Sequence, residues 1–258
     1  MHTMKTSLTF LLCLISTLAF SIDMYHKGDE LFVHAPSGLK LRTTPDGDAV
    51  VTVPYGSKLK VLENKIMNPS KMVDGLQGCW AKVDFDGKTG FIFDGYLSFL
   101  PTPKAHHAQL LDYCRDAFTE ATPLLISSFS DCADDTEGLN VYENHIQVFK
   151  YKDKTIVYSN NSGYEWGEEC ITVTGISNEE AYLIATYIYR DQIKTADTYF
   201  KANKYPEHVS PEAYTKYVQY PKTDCFKLQL NTDGCDQELL INKRMRDNVA
   251  CIRLYAGC

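Results

Sequence analysis

The chain has 258 residues, a formal net charge of −7, an apolar fraction of 44% and a charged fraction of 23%. That balance is ordinary for a globular protein and leaves room for one large domain or two of common size. A surface this acidic lacks the clustered Lys and Arg that nucleic acid or an anionic lipid surface requires, which argues against both as partners.

The chain opens MHTMKTSLTFLLCLISTLAFSID. Lys5 is the positive charge, Leu8 to Ile15 the apolar run, and Ala19-Phe20-Ser21 a small-x-small cleavage site, which together form the pattern of a secretory signal peptide. The run is shorter than the roughly 20 apolar residues of a spanning helix. Residues 1–21 are therefore expected to be removed, leaving no integral membrane segment and an extracytoplasmic chain, periplasmic or secreted. Cys13 follows Leu12, where a lipid-attachment motif needs a small residue, so a lipid anchor is not expected.

From Leu31 to Leu100, short alternating runs are broken by turn residues. GLKLRTTPDGD reads as a strand with a Pro45-Asp46-Gly47 turn, and AVVTVPYGSKLKVLEN as two strands around Tyr55-Gly56-Ser57. CWAKVDFDGKTGFIF reads as a hairpin with Asp86-Gly87 at its tip. Period-two alternation points Leu59 and Val61 inward in one strand, and Ala81, Val83 and Phe85 inward in another. Closely spaced short strands predict a small barrel.

These runs, GLKLRTTPDGDAVVTVPYGSKLKVLEN and then WAKVDFDGKTGFIFDGYLS, resemble the bacterial SH3-like domain. The matching positions are Leu39 to Arg42, Gly56, Trp80, Val83, Gly87, Gly90, Phe91, Tyr96 and Leu97. The family's usual Asn-Val-Arg is Lys40-Leu41-Arg42 here, and NKIMNPSKMVDGLQGC is inserted before Trp80 where a tight loop is usual. Cys79 is a candidate tether for that insertion, with Met67, Met72 and Leu76 packing back or forming a contact surface. The resemblance implies a binding module without catalysis, whose partner is a cell-wall peptide, peptidoglycan or an envelope protein. It makes Tyr55, Trp80 and Tyr96 the candidate ligand-binding aromatics, with core filling as the alternative role for Trp80 and Tyr96.

FLPTPKAHH breaks the pattern, and its two prolines predict a stiff extended connector. The expected division is a module over 28–100, a linker over 101–107 and a second unit over 108–258. In that unit AQLLDYCRDAFTEATP has helical spacing, and NHIQVFKYKDKTIVYSNN reads as two strands around Lys152-Asp153. GEECITVTGIS reads as another strand. A helix follows, opened by a Ser177/Glu180 capping box, with Ala181, Ile184, Ala185 and Ile188 at helical spacing towards Tyr199 and Phe200. Tyr182, Tyr187, Tyr189 and Tyr199 project from several faces of it, so some are expected at the surface. CFKLQLNTDGCDQELLI and NVACIRLYAGC close the chain as strands around Asp233-Gly234. The fold class is a small SH3-like β-barrel followed by a disulfide-stabilised α+β domain.

Cysteine usage supplies the disulfide expectation. Outside the leader stand Cys79, Cys114, Cys132, Cys170, Cys225, Cys235, Cys251 and Cys258, an even set in an exported chain. Sequence proximity proposes Cys225 with Cys235 and Cys251 with Cys258. The absence of CxxC removes the usual thiol-exchange and zinc-ribbon signatures.

The search for catalytic sets finds little. Asp131-Cys132-Ala133 and Asp224-Cys225-Phe226 are fragments of a cysteine-peptidase pattern and lack its glycine. Gly-x-Ser-x-Gly and His-Glu-x-x-His are absent. Ser57-x-x-Lys60 stands without its companion motifs. His106 and His107 are adjacent, which on a strand or helix would turn them to different faces, so they read as linker residues and not metal ligands. The spacing of Asp131, Asp134, Asp135 and Glu137 does not fit a calcium loop. No metal or cofactor is implied. One enzymatic alternative stays open: Glu165, Glu168 and Glu169 flank Trp166, an arrangement of acids and aromatic that a cell-wall hydrolase would use.

Overall fold

The structure, a computed structural model, describes residues 25–63, 71–74, 76–131, 140–163, 165–194, 218–220, 225–230, 236–244 and 249–257. The leader, Met67, Tyr199, Phe200, the Asp233-Gly234 turn, most of the Asp131–Glu137 acidic cluster, Cys132, Cys235 and Cys258 lie outside these residues.

The N-terminal sheet is built from β1 (Glu30–Val33), β2 (Leu39–Arg42), β3 (Ala49–Val53), β4 (Lys58–Val61), β7 (Trp80–Phe85), β8 (Lys88–Phe93) and β9 (Leu97–Ser98). Its order is β3-β2-β8-β7-β4-β1-β9, all antiparallel. Alternation sets its core as expected. Leu59, Val61, Ala81 and Val83 are buried with Leu31, Val33, Leu41, Val53, Ile92 and Leu97, and Phe85 packs at the edge of the same cluster. The β7–β8 hairpin turns at Asp86 (φ 50°) and Gly87 (φ 75°), the two positive angles of a type I′ turn.

The insertion carries its own small hairpin, β5 (Lys71–Val73) with β6 (Leu76–Gly78). Leu76 packs inward while Met72 stays exposed. The hairpin lies against the 3-10 turn Asp94–Tyr96 so closely that a Cβ on Gly78 would come 2.6 Å from the Gly95 nitrogen. Cys79 follows the hairpin, buried, with its backbone N–H donating to Asp94 Oδ1 at 2.6 Å.

The second sheet has nine antiparallel strands. They are β10 (Thr119–Glu120), β11 (Leu125–Asp131), β12 (Asn140–Tyr151), β13 (Lys154–Ser162), β14 (Trp166–Thr174), β15 (Val218–Tyr220), β16 (Cys225–Gln229), β17 (Asp236–Arg244) and β18 (Val249–Gly257). The order is β10-β12-β13-β14-β18-β17-β16-β15, with β11 also on β12. Register puts Phe149, Ile156, Ile171, Val173, Ile241, Ala250 and Ile252 on one face. All are buried beneath α1 (Leu110–Ala117) and α2 (Asn178–Ile188), whose Leu110, Tyr113, Ala181, Ile184, Ala185 and Ile188 fill the same core. The α2 capping box forms as its sequence predicts, Ser177 Oγ accepting from the Glu180 N–H and Glu180 from the Ser177 N–H.

The chain is mostly β. The stretch between the two sheets packs along its length: Leu100 is fully buried in the larger core, and Tyr113 Oη donates to the Pro101 carbonyl at 2.7 Å. Disulfide stabilisation is not seen, since no two cysteine sulfurs stand at bonding distance among the described residues. No helix among the described residues is long and apolar enough to cross a membrane.

Candidate functional site

Two of the three predicted aromatics come together at the inserted hairpin. Trp80 meets Phe93 edge-on at 6.3 Å, and Phe93 meets Tyr96 in the same way at 6.2 Å. Phe93 is buried and anchors the row, while Trp80 and Tyr96 remain partly exposed. Lys71 Nζ stands over the Trp80 ring at 5.8 Å and also pairs with Asp46, and Met72 is exposed beside it on the same hairpin. Tyr96 Oη donates to Asp74 Oδ2 at 2.7 Å. Burial first and then the Asp74 carboxylate push the Tyr96 phenol well above its ordinary range, so it is a fixed donor at any physiological pH. The result is a row of aromatic faces bordered by a cation and two acids. It is built by β7, β8, the 3-10 turn and the insertion, whose Met72 the sequence offered as part of a contact surface.

Tyr55 sits elsewhere. The β3–β4 turn projects it onto α2, where its ring stacks on Tyr187 at 4.7 Å and 12°. Its hydroxyl donates to the Pro103 carbonyl at 2.8 Å. Arg190 stands over the Tyr187 ring at 4.9 Å and donates to the Ala105 carbonyl at 2.6 Å. His34 is buried next to Tyr55, its Nε2–H donating to the Leu100 carbonyl at 3.0 Å. Burial pulls its pKa down to about 4, against a smaller upward effect of that bond, so the ring is neutral. Glu180 completes the junction: besides closing its own helix cap, it accepts from Ser98 Oγ and from the Phe99 N–H, both at 2.8 Å. Lys154 lies over the Phe99 ring at 4.9 Å. Two tyrosines of this segment are engaged inside the molecule: Tyr187 of α2 on Tyr55, and Tyr189, fully buried just after the helix, on Glu169.

The acids of the YEWGEEC segment do not converge. Consecutive strand residues face opposite ways, so Glu168 and Glu169 lie on opposite sides of the sheet. Glu168 pairs with Arg253 at 3.4 Å, and Glu165 is exposed outside the strand. Glu169 is buried, accepting from Tyr189 Oη at 2.7 Å and from the Leu111 N–H at the start of α1. Burial raises its pKa, and those donors hold it as a helix cap supplied from the sheet.

His106 and His107 lie in the connecting segment, 4.4 Å apart ring to ring. They occupy a turn, not a strand, and their rings meet edge-on with Asp116 alongside. Yet both His107 nitrogens are taken: Nδ1 accepts from the Lys104 N–H and Nε2–H donates to Asp116 Oδ2, each at 3.0 Å. Lys104 Nζ also pairs with Asp116 at 2.7 Å, which puts a cation where a metal would sit. The cleft of about 330 Å³ beside it is lined by Ala105, His107, Ile188, Arg190, Asp191 and Leu230, with His107 and Arg190 already bonded to the chain.

The remaining cysteine candidates fall in three places. Cys114 is buried in α1, where burial pushes its thiol far up. Cys225 begins β16. Cys170 and Cys251 meet on adjacent strands, Sγ to Sγ at 2.9 Å. The proposed partners Cys235 and Cys258 lie outside the described residues, while Cys251 has Cys170 as its neighbour.

Comparison with curated proteins finds no match, nor does comparison with solved structures. A family model described as "Bacterial SH3 domain" matches residues 37–98, from the turn before β2 through β9. Such domains are binding modules, often of cell-wall-associated proteins. The N-terminal part of this chain, with its antiparallel barrel sheet and its Trp80 and Tyr96, is a bacterial SH3 domain.

Proposed function

We propose that this is an exported bacterial envelope protein that holds a cell-wall peptide, peptidoglycan or an envelope protein through its SH3 domain and carries out no reaction of its own. The leader over residues 1–21 supports export, and the oxidising compartment beyond it is where the cysteine set would form disulfides. In this reading the unit over 28–100 binds, and the unit over 108–258 presents it, joined by 101–107.

The carrying observation is the Trp80–Phe93–Tyr96 row with Lys71 above it and Asp74 bonded to its end. A partly exposed indole supplies a large contact area at little ordering cost, and the flanking charges fix the orientation of a polar ligand. Tyr55, stacked on Tyr187, serves the junction in this reading. The test is co-sedimentation of the mature protein with isolated cell wall, and retention of envelope proteins on the immobilised chain. Trp80→Ala should weaken retention by roughly tenfold or more. Equal retention by Trp80→Ala, or no retention by the unaltered protein, would overturn the reading.

A further inference from the structure

Cys170 and Cys251 are 81 residues apart in sequence and come together across the middle of the larger sheet. The β14–β18 register pairs Cys170 with Arg253 and Thr172 with Cys251, so the two cysteines are diagonal neighbours on one face. That is the face opposite the helices. Both residues are nonetheless buried, at 7% and 8% exposure. Their sulfurs lie closer than two thiols in ordinary contact. Arg253 stands on the same face of β18, in an ion pair with Glu168 at 3.4 Å. Of the two sulfurs Cys251 is the one held towards the thiolate, first by the hydrogen bond from Cys170 and then by the Arg253 cation, which together outweigh burial.

We propose that Cys170 and Cys251 are a redox pair that closes into a disulfide stapling β14 to β18. The Cys251 thiolate attacks one sulfur of an external disulfide and expels one thiolate from it. Cys170 then attacks the Cys251 sulfur of the mixed disulfide and expels the second thiolate. Two electrons pass from the protein to the oxidant, and the two thiol protons end on the leaving thiolates. The proposal rests on the exported-protein reading only for its natural oxidant, a disulfide of the oxidising compartment. The chemistry depends on the fold alone.

Trypsin places each cysteine of the mature chain on its own peptide: Cys170 falls in 155–190, Cys251 in 247–253 and Cys258 in 254–258. The reduced mature protein is incubated folded with oxidised glutathione, its remaining thiols are blocked with N-ethylmaleimide, and the non-reduced digest is read by mass spectrometry. The expected product is 155–190 joined to 247–253, with a rise in Tm of roughly 5–15 °C that Cys170→Ser abolishes. Blocked Cys170 and Cys251 after oxidation, or Cys251 joined to any other peptide, overturns the pairing. A chain taken from the envelope without the bridge, in which glutathione then forms it, supports the pairing and counts against the exported-protein reading alone.

Discussion

The two sheets cover their apolar faces in different ways. The SH3 sheet curls around a core of its own side chains, and its longest connections among β2, β3, β4, β7 and β8 are short turns or the inserted hairpin. The nine-stranded sheet is covered on one face by α1 and α2, while the other carries Ile146 and Tyr255 in the open. Between them lies a polar-aromatic seam in which Glu180 accepts from Ser98 and Phe99, Tyr55 stacks on Tyr187 and bonds to the Pro103 carbonyl, and His34 bonds to the Leu100 carbonyl. The SH3 sheet has a core of its own, yet hydrogen bonds and ring contacts also fasten it to the larger unit.

The strongest way to break this comparison is to empty each core in turn. Phe149→Ala should cost about 3–5 kcal/mol and Leu31→Ala about 2–5 kcal/mol in urea unfolding, since both side chains are fully buried. If the seam couples the sheets, each substitution lowers the midpoint of a single transition followed by both fluorescence and circular dichroism. Two transitions, each sensitive to one substitution, would show that the seam is weak.

Acid probes the seam directly. His34 is neutral when folded, with a pKa near 4, whereas the unfolded ring titrates near 6.5. Between those values the unfolded state binds the additional proton, so stability is full above pH 6.5, falls as pH drops towards 4, and is flat below that. The loss attributable to this group is about 3 kcal/mol, from the size of the shift. His34→Leu should remove that part of the pH dependence, and an unchanged profile would rule out the assignment.

Smaller effects sharpen the picture. Glu180→Ala strands the Ser98 hydroxyl and the Phe99 N–H and undoes the helix cap, for an expected loss of about 2–3 kcal/mol, with Glu180→Gln intermediate. Tyr187→Ala removes the stack on Tyr55 and should cost about 1 kcal/mol beyond the area it uncovers. It should leave cell-wall retention unchanged, whereas Trp80→Ala should reduce retention and hardly alter the unfolding midpoint. An exchange of those two phenotypes would move the binding surface to the Tyr55 side.

Much of the barrel was legible because its information is local. Period-two alternation named Leu59, Val61, Ala81 and Val83 correctly, and Asp86-Gly87 specified its own turn. The capping box at Ser177 and Glu180 was equally readable, since both partners lie within one helical turn. The second task of Glu180 was not, because Ser98 and Phe99 are more than 80 residues away. The sequence offered core filling as the alternative for Trp80 and Tyr96 only, and it took distant neighbours to show that Tyr55 stacks on Tyr187 while the other two border Phe93. Sequence proximity did not point to Cys170 as the neighbour of Cys251, because 81 residues separate them along the chain and only the pairing of two strands brings them into contact.

The sequence by itself determined many of the strands and turns, the starts of both main helices, that the first unit is an SH3 barrel, and which side chains of the predicted strands share a face. These follow from steric and solvation preferences that act over a few residues. The tertiary structure decided which face is covered, that the linker is bound on both sides, that Tyr55 serves the seam, and that Cys170 meets Cys251. Each of these depends on chain closure between distant segments, whose outcome is set by the packing of the whole and not by any short stretch.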